Sequence, residues 1–171
     1  HRAWRARRKG GPGVCASGPV LARTATRLEL RDSGDHGVAM DDVDGGTYRL
    51  VERVRRRSAA LDFSFVDLTD PAAFEASIKP NTKLVWMETP SNPLLQVGDI
   101  AAIAAIARAG KAYSAVDNTW GTPVLQRPLD LGADVSMHST TKYLGGHSDV
   151  LSGALILKDD GELSQRIRTL Q

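Results

Sequence analysis

The stretch KLVWMETPSNPLLQVGDIAAIAAIARAGKAYSAV (residues 83–116) decides the fold. Its opening run, Lys83 to Met87, is short and almost wholly apolar, which predicts a buried strand rather than a helix. Asp99 then offers a side-chain oxygen to the free N–H groups of a helix start. Ile100, Ile103 and Ala107 recur at helical spacing with Ile106 beside them, and Gly110 stands at the stop position. Ala112 to Val116 reads as a second apolar strand.

Working outward, the same alternation continues. Upstream, Gly37 to Met40 and Leu61 to Val66 read as strands, and Asp70-Pro71 starts a short helix. Tyr48 to Arg57 reads as a helix with Leu50, Val51 and Val54 inward and an Arg-rich outer face. Ser17 is placed to cap a helix over Pro19 to Leu30, with Pro19 in the first turn, where a missing N–H costs least. Gly10 to Gly18 is rich in Gly, Pro and Ser and reads as a loop. Downstream, Asp134 to Met137 and Leu151 to Leu157 read as strands. Alternating strands and helices argue for an α/β domain with a mostly parallel sheet, which needs helices on both faces. The division expected is an irregular basic and Gly-rich segment, 1–17, followed by one domain, 18–171.

Composition narrows the class. The 171 residues are 42% hydrophobic and 25% charged, ordinary for a globular protein and enough for one domain or a piece of a larger one. No apolar run approaches the ~20 residues of a membrane helix. The single cysteine, Cys15, leaves no internal disulfide framework, fits a reducing compartment, and reads as a small buried hydrophobe. The net charge is +2, but the opening His1-Arg2-Ala3-Trp4-Arg5-Ala6-Arg7-Arg8-Lys9 is strongly basic. A solvated tail is preferred over a transit peptide or a nucleic-acid arm, because no nucleic-acid-binding motif accompanies it. Because the chain begins at His rather than Met, a longer product is expected.

In open parallel sheets, ligands sit at the carboxyl ends of the strands. That rule selects three places: after Met87, after Val116 and after Met137. They carry Glu88-Thr89-Pro90-Ser91-Asn92-Pro93, then Asp117-Asn118-Thr119-Trp120, then His138-Ser139-Thr140-Thr141-Lys142-Tyr143-Leu144-Gly145-Gly146-His147-Ser148-Asp149. A lysine in a partly apolar site can lose its proton and form an imine with an aldehyde. An aspartate at a strand end can hold a pyridine nitrogen protonated, and hydroxyls such as Ser139 and Thr141 can bind phosphate. Alone, Lys142 would read as a surface charge and Asp117 as a turn cap. His138 and His147 lack the spacing of a two-histidine helix motif and there is no cysteine cluster, so no metal is expected; His147 reads as a structural hydrogen-bonding residue. There is no Gly-x-Ser-x-Gly elbow and no P-loop. Trp86 and Trp120 read as packing residues.

From about Asp41 to Leu157 the chain resembles the Cys/Met-metabolism pyridoxal-phosphate (PLP) enzymes, through Glu88–Pro93, Asp117–Trp120, Leu125-Gln126-Arg127-Pro128-Leu129 and Ser139–Asp149. The resemblance implies the large domain of the aspartate-aminotransferase type (fold type I), here incomplete, with PLP as cofactor. It implies that Lys142 forms the Schiff base and then moves protons. It further implies that Asp117 pairs with the pyridinium nitrogen, that Ser139, Thr141 and the Gly18 N–H bind the phosphate, that Asn92 donates to the phenolic oxygen, and that Thr119 supports the ring. The activity implied is that of a transsulfuration carbon–sulfur lyase, most like cystathionine γ-lyase, which converts cystathionine to cysteine, 2-oxobutanoate and ammonia. Cystathionine γ-synthase or methionine γ-lyase is the alternative. Asp62-Phe63-Ser64-Phe65-Val66-Asp67 looks slightly closer to the lyase. A small sulfur amino acid as substrate, a cytoplasmic setting, a homotetramer built from dimers, and no nucleic-acid or membrane partner follow from the same resemblance.

The pattern departs from the family in places. Asp44 precedes Gly45-Gly46-Thr47 where the family carries a tyrosine stacked on the cofactor, and Ser17-Gly18-Pro19 stands where the family has Ser-Gly-Met. Pro19 has no N–H to offer a phosphate. The chain also lacks the family's N-terminal Tyr and Arg segment and its C-terminal domain with the carboxylate-gripping arginine. A reading from another class is therefore carried alongside: a folded remnant or pseudoenzyme without turnover. Little activity is expected of this chain alone.

Overall fold

The computed structural model describes residues 13–16, 32–43, 45–48, 61–67 and 69–168. Seven strands form one sheet: β1 (Gly13–Ala16), β2 (His36–Met40), β3 (Asp62–Val66), β4 (Thr82–Glu88), β5 (Tyr113–Asp117), β6 (Val135–His138) and β7 (Gly153–Leu157). Their spatial order is β1-β7-β6-β5-β4-β2-β3. β3, β2, β4, β5 and β6 run parallel, and β7 is antiparallel to both β6 and β1. The short helices are α1 (Gly45–Tyr48), α2 (Pro71–Ser77), α3 (Ile100–Ala109), α4 (Thr122–Leu125) and α5 (Glu162–Arg168). The mostly parallel α/β sheet expected from residues 83–116 is what forms.

Burial explains the order. All five residues of β2 and all four of β6 are buried, as are the last five of β4. Strands buried on both faces read as apolar runs rather than as alternations. Edge strand β3 is only half-buried. The core joins Val38, Met40, Leu84, Trp86, Ile103, Val116, Met137 and Leu155. His36, wholly buried at the start of β2, ties that strand to both its neighbours through Nδ1 to Thr82 Oγ1 (2.8 Å) and Nε2 to Ser64 Oγ (3.0 Å).

The helix of the deciding stretch forms as read. Asp99 accepts the Ala102 N–H at 2.9 Å, and Ile100, Ile103, Ala104 and Ala107 are buried. Gly110 ends α3 for a reason other than handedness. Its φ is −78°, but a Cβ there would stand 2.7 Å from the Ile78 side chain, so α2's end and α3's end need a residue without one. Asp70 caps α2 with Pro71 in its first turn, also as read.

Corrections fall at the margins. Gly13 to Ala16, read as loop, forms the edge strand β1 against Gly153 to Ile156. A four-residue strand among Gly, Pro and Ser leaves too little periodicity to be seen. β7 begins at Gly153, not Leu151, and β6 at Val135, not Asp134. α4 and α5 were not anticipated; α5 buries Leu163 and Ile167, one turn apart. Tyr48 is the last described residue of α1, and the remainder of the helix expected to Arg57 lies outside the described residues, as do the helix over Pro19 to Leu30, the basic opening, Gly18 and Asp44.

Candidate active site

Strand register brings four carboxyl ends to one edge. Ala39 pairs with Trp86, Glu88 with Asp117, and Asp117 with Met137, so β2, β4, β5 and β6 finish side by side. The turns after them carry nearly every residue singled out in the sequence.

Asp117, the last residue of β5, is 1% exposed. A carboxylate removed from water needs donors. Thr119 supplies two, its N–H at 3.1 Å and its hydroxyl at 2.6 Å, both to Oδ1. The same Thr119 oxygen accepts the Ser139 N–H at 2.8 Å. The end of β5 is thus joined to the start of the loop that carries Lys142. Ser139 is buried, its carbonyl accepts the Lys142 N–H at 3.0 Å, and the Lys142 carbonyl accepts the Gly146 N–H at 2.8 Å, which curls the loop. The Lys142 side chain is exposed. Gly146 takes a φ of +75°, where glycine is favoured. His138 is buried beside Asp117: burial holds its imidazole below the ordinary 6.5, and the Asp117 charge opposes that shift.

Two sequence expectations meet complications. Thr141 gives its hydroxyl proton to the Ser152 carbonyl at 3.2 Å and accepts the Ser152 N–H at 2.9 Å, so its hydroxyl is occupied at the β7 side. Trp120 is not a core residue like Trp86; it is 44% exposed and packs against Tyr143 with ring centroids 5.5 Å apart. These two rings, with Pro90, Gly121, Thr122, Leu125 and Gln126, line a cleft of about 580 Å³. His147, as expected, makes a local bond, Nδ1 to the Gly145 carbonyl at 2.9 Å.

The structure gives roles to residues that the sequence reading named only within a segment or not at all. Asn118, wholly buried, sends its amide N–H groups to the Thr122 and Gln126 carbonyls (3.2 and 2.8 Å). Gln126 Nε2 in turn reaches both Asn118 Oδ1 (2.8 Å) and the Thr89 carbonyl (2.7 Å). Asp42, just beyond β2, accepts the Ser91 hydroxyl. The strand-end rule, applied to Met40 as well as to the other three strands, would have picked out Asp42. Side-chain bridges therefore join each neighbouring pair of turns, Asp42–Ser91, Gln126–Thr89, Thr119–Ser139 and Thr141–Ser152.

A family model described as Cys/Met metabolism PLP-dependent enzyme matches residues 7–171. The chain belongs to that family. It is 51% identical to a cystathionine beta-lyase of Coxiella burnetii over 88% of this chain and 39% of that protein. It is 50% identical to a probable cystathionine gamma-synthase of Herpetosiphon aurantiacus over 92% of this chain and 48% of that protein. Its fold matches a crystal structure of cystathionine gamma-lyase from Lactobacillus plantarum complexed with L-serine, with a TM-score of 0.85 and 44% identity over 94% of this chain and 42% of that one. The chain spans less than half the length of these relatives.

The family's cofactor, PLP, requires an amine, a carboxylate kept from water for its ring nitrogen, and hydroxyl or amide donors. The donor set here fits: the exposed Lys142 amine, the buried Asp117, the Ser139 hydroxyl and the exposed Asn92 amide gather at one sheet edge. Between Ser139 and Thr141, the Thr140 hydroxyl is buried without a hydrogen-bond partner. Among the described residues, no helix is long and apolar enough to cross a membrane.

Proposed function

We propose that the protein to which this chain contributes is a PLP-dependent carbon–sulfur enzyme acting on cystathionine or a similar sulfur amino acid. The observation that carries the reading is the link Asp117–Thr119–Ser139, which fixes a buried carboxylate beside the loop of Lys142. Bound PLP supplies an electron sink for charge at the substrate carbons. Asp117 holds the ring nitrogen protonated, and Thr119 keeps that carboxylate aimed. Ser139 binds the phosphate. Thr141 joins it only by releasing the Ser152 carbonyl, and Gly18 lies outside the described residues. Asn92 donates to the phenolic oxygen. Lys142 would hold the cofactor through its amine and would move protons at the substrate's Cα and Cβ.

A γ-lyase reaction remains the first reading, with γ-synthase or methionine γ-lyase chemistry as the alternative. Relatives named β-lyase, γ-synthase and γ-lyase match at 51, 50 and 44%, so identity does not choose among them. The segment Asp62–Asp67, which favoured the lyase, forms edge strand β3 and its end, away from the Lys142 loop in strand order. A homo-oligomer is proposed because Leu94, Val97, Val124, Leu125 and Leu151 are each at least 66% exposed, apolar side chains of the kind that a second copy would cover. One cysteine in the chain supports a cytoplasmic setting.

The test is the visible spectrum of the chain with PLP, followed by borohydride reduction and peptide mapping. A visible band and a pyridoxyl group on Lys142 alone are expected. Scattered lysine labelling, or none, would overturn the cofactor reading and leave the pseudoenzyme. In the longer protein, release of 2-oxobutanoate from cystathionine would identify γ-elimination, and release of pyruvate would identify β-elimination.

A further inference from the structure

Asp42 lies two residues beyond the end of β2 and is half-buried. Its Oδ2 accepts the Ser91 hydroxyl and the Leu94 N–H (3.3 Å), both from the turn after β4. An ionised carboxylate can only accept, so it commits the one Ser91 proton to itself. The Ser91 oxygen then receives the Gln96 N–H at 3.0 Å. Ser91 and Gln96 also close the turn through their backbones, with Ser91 N–H to Gln96 O at 2.9 Å and Leu95 N–H to Ser91 O at 3.2 Å. Ser91 is wholly buried. The turn is thus closed on itself and fastened to the sheet by one carboxylate.

Asn92 lies between the two residues that Asp42 grips. It is exposed, so its position follows from the turn and not from burial of its own side chain. We propose that Asp42 is a positioning residue for Asn92, setting where the Asn92 amide meets the cofactor ring. The inference rests on the PLP reading of the site and adds to it a residue that does not touch the cofactor.

The experiment compares Asp42→Ala, Asp42→Asn, Ser91→Ala and Asn92→Ala in the full chain. One readout is hydrogen exchange at the Leu94 and Gln96 amides without PLP. The other is PLP affinity together with the pH midpoint of the visible band. Asp42→Ala is expected to speed exchange at both amides, to weaken PLP about tenfold, and to move the band midpoint in the same direction as Asn92→Ala. Ser91→Ala, which removes the same bond from the other side, should do likewise. Asp42→Asn keeps an acceptor and should restore most of both readouts. Faster exchange with an unmoved band, or no change in either, overturns the inference while Lys142 still labels. If Lys142 of the unaltered chain takes no label, the cofactor reading itself falls, and the inference with it.

Discussion

Thr119 Oγ1 stands 2.6 Å from the Asp117 carboxylate and gives its single proton to that acceptor, while the same oxygen receives the Ser139 N–H. One hydroxyl therefore sets the orientation of the carboxylate at the end of β5 and the start of the Lys142 loop after β6.

Replacing Thr119 with Val keeps its shape and removes both bonds. Asp117 retains the Thr119 N–H but loses its hydroxyl donor inside the protein. A loss of about 1.5–3 kcal/mol is expected, the range for hydrogen bonds to charged groups. Urea denaturation would measure it, and Thr119→Ser should recover most of it. A Val variant as stable as its parent would show that the bond is worth nothing net.

Gly121→Ala tests the Asn118–Gln126 amide pair. The added methyl would stand 2.8 Å from Asn118 Oδ1 and 3.0 Å from Gln126 Cβ. Relief requires parting the two amides or shifting the β5–β6 loop. Overpacking of this kind costs roughly 1–3 kcal/mol. Calorimetry should show a lower melting temperature, and exchange should rise at the Gln126 amide, which bonds to the Thr122 carbonyl. Unchanged melting would mean that the loop yields freely.

His138 predicts a pH dependence. Its pKa in the folded chain lies below the ordinary 6.5, chiefly through burial. The unfolded chain therefore binds the proton more tightly, so acidification through and below 6.5 favours unfolding, and stability rises with pH until that window is passed. Asp62, held below its ordinary 3.8 chiefly by the Lys79 hydrogen bond, contributes stability that is lost only at lower pH and does not mask the effect. His138→Gln should flatten the slope of the urea midpoint between about pH 5 and about pH 7. Equal slopes in both chains would remove His138 as the cause.

Much of this was legible in the sequence, for identifiable reasons. Buried parallel strands such as Val85 to Met87 are apolar runs, and Asp99 with the Ile100–Ile103–Ala107 stripe leaves a signal that tertiary contacts reinforce. That Asp117, Thr119, Ser139 and Lys142 come to one sheet edge was legible because they end or follow such strands. β1 could not: its pairing with β7 joins residues about 140 positions apart and leaves no local period. Nor could the hydroxyl of Thr141 be assigned, since sequence does not show that Ser152 lies within its reach. Gln126 was visible as part of a motif, but its contact with the Thr89 carbonyl depends on the neighbouring turn.

The bridges Asp42–Ser91, Gln126–Thr89, Thr119–Ser139 and Thr141–Ser152 run without a break across β2, β4, β5, β6 and β7. Each turn is written partly in the letters of the next. A turn that loses Asp42, Gln126, Thr119 or Thr141 leaves its partner in the neighbouring turn, the Ser91 hydroxyl or a backbone group of Thr89, Ser139 or Ser152, without that bond. Replacing these turns one at a time should therefore loosen this edge, whereas exchanging adjacent turns as a set preserves the joints.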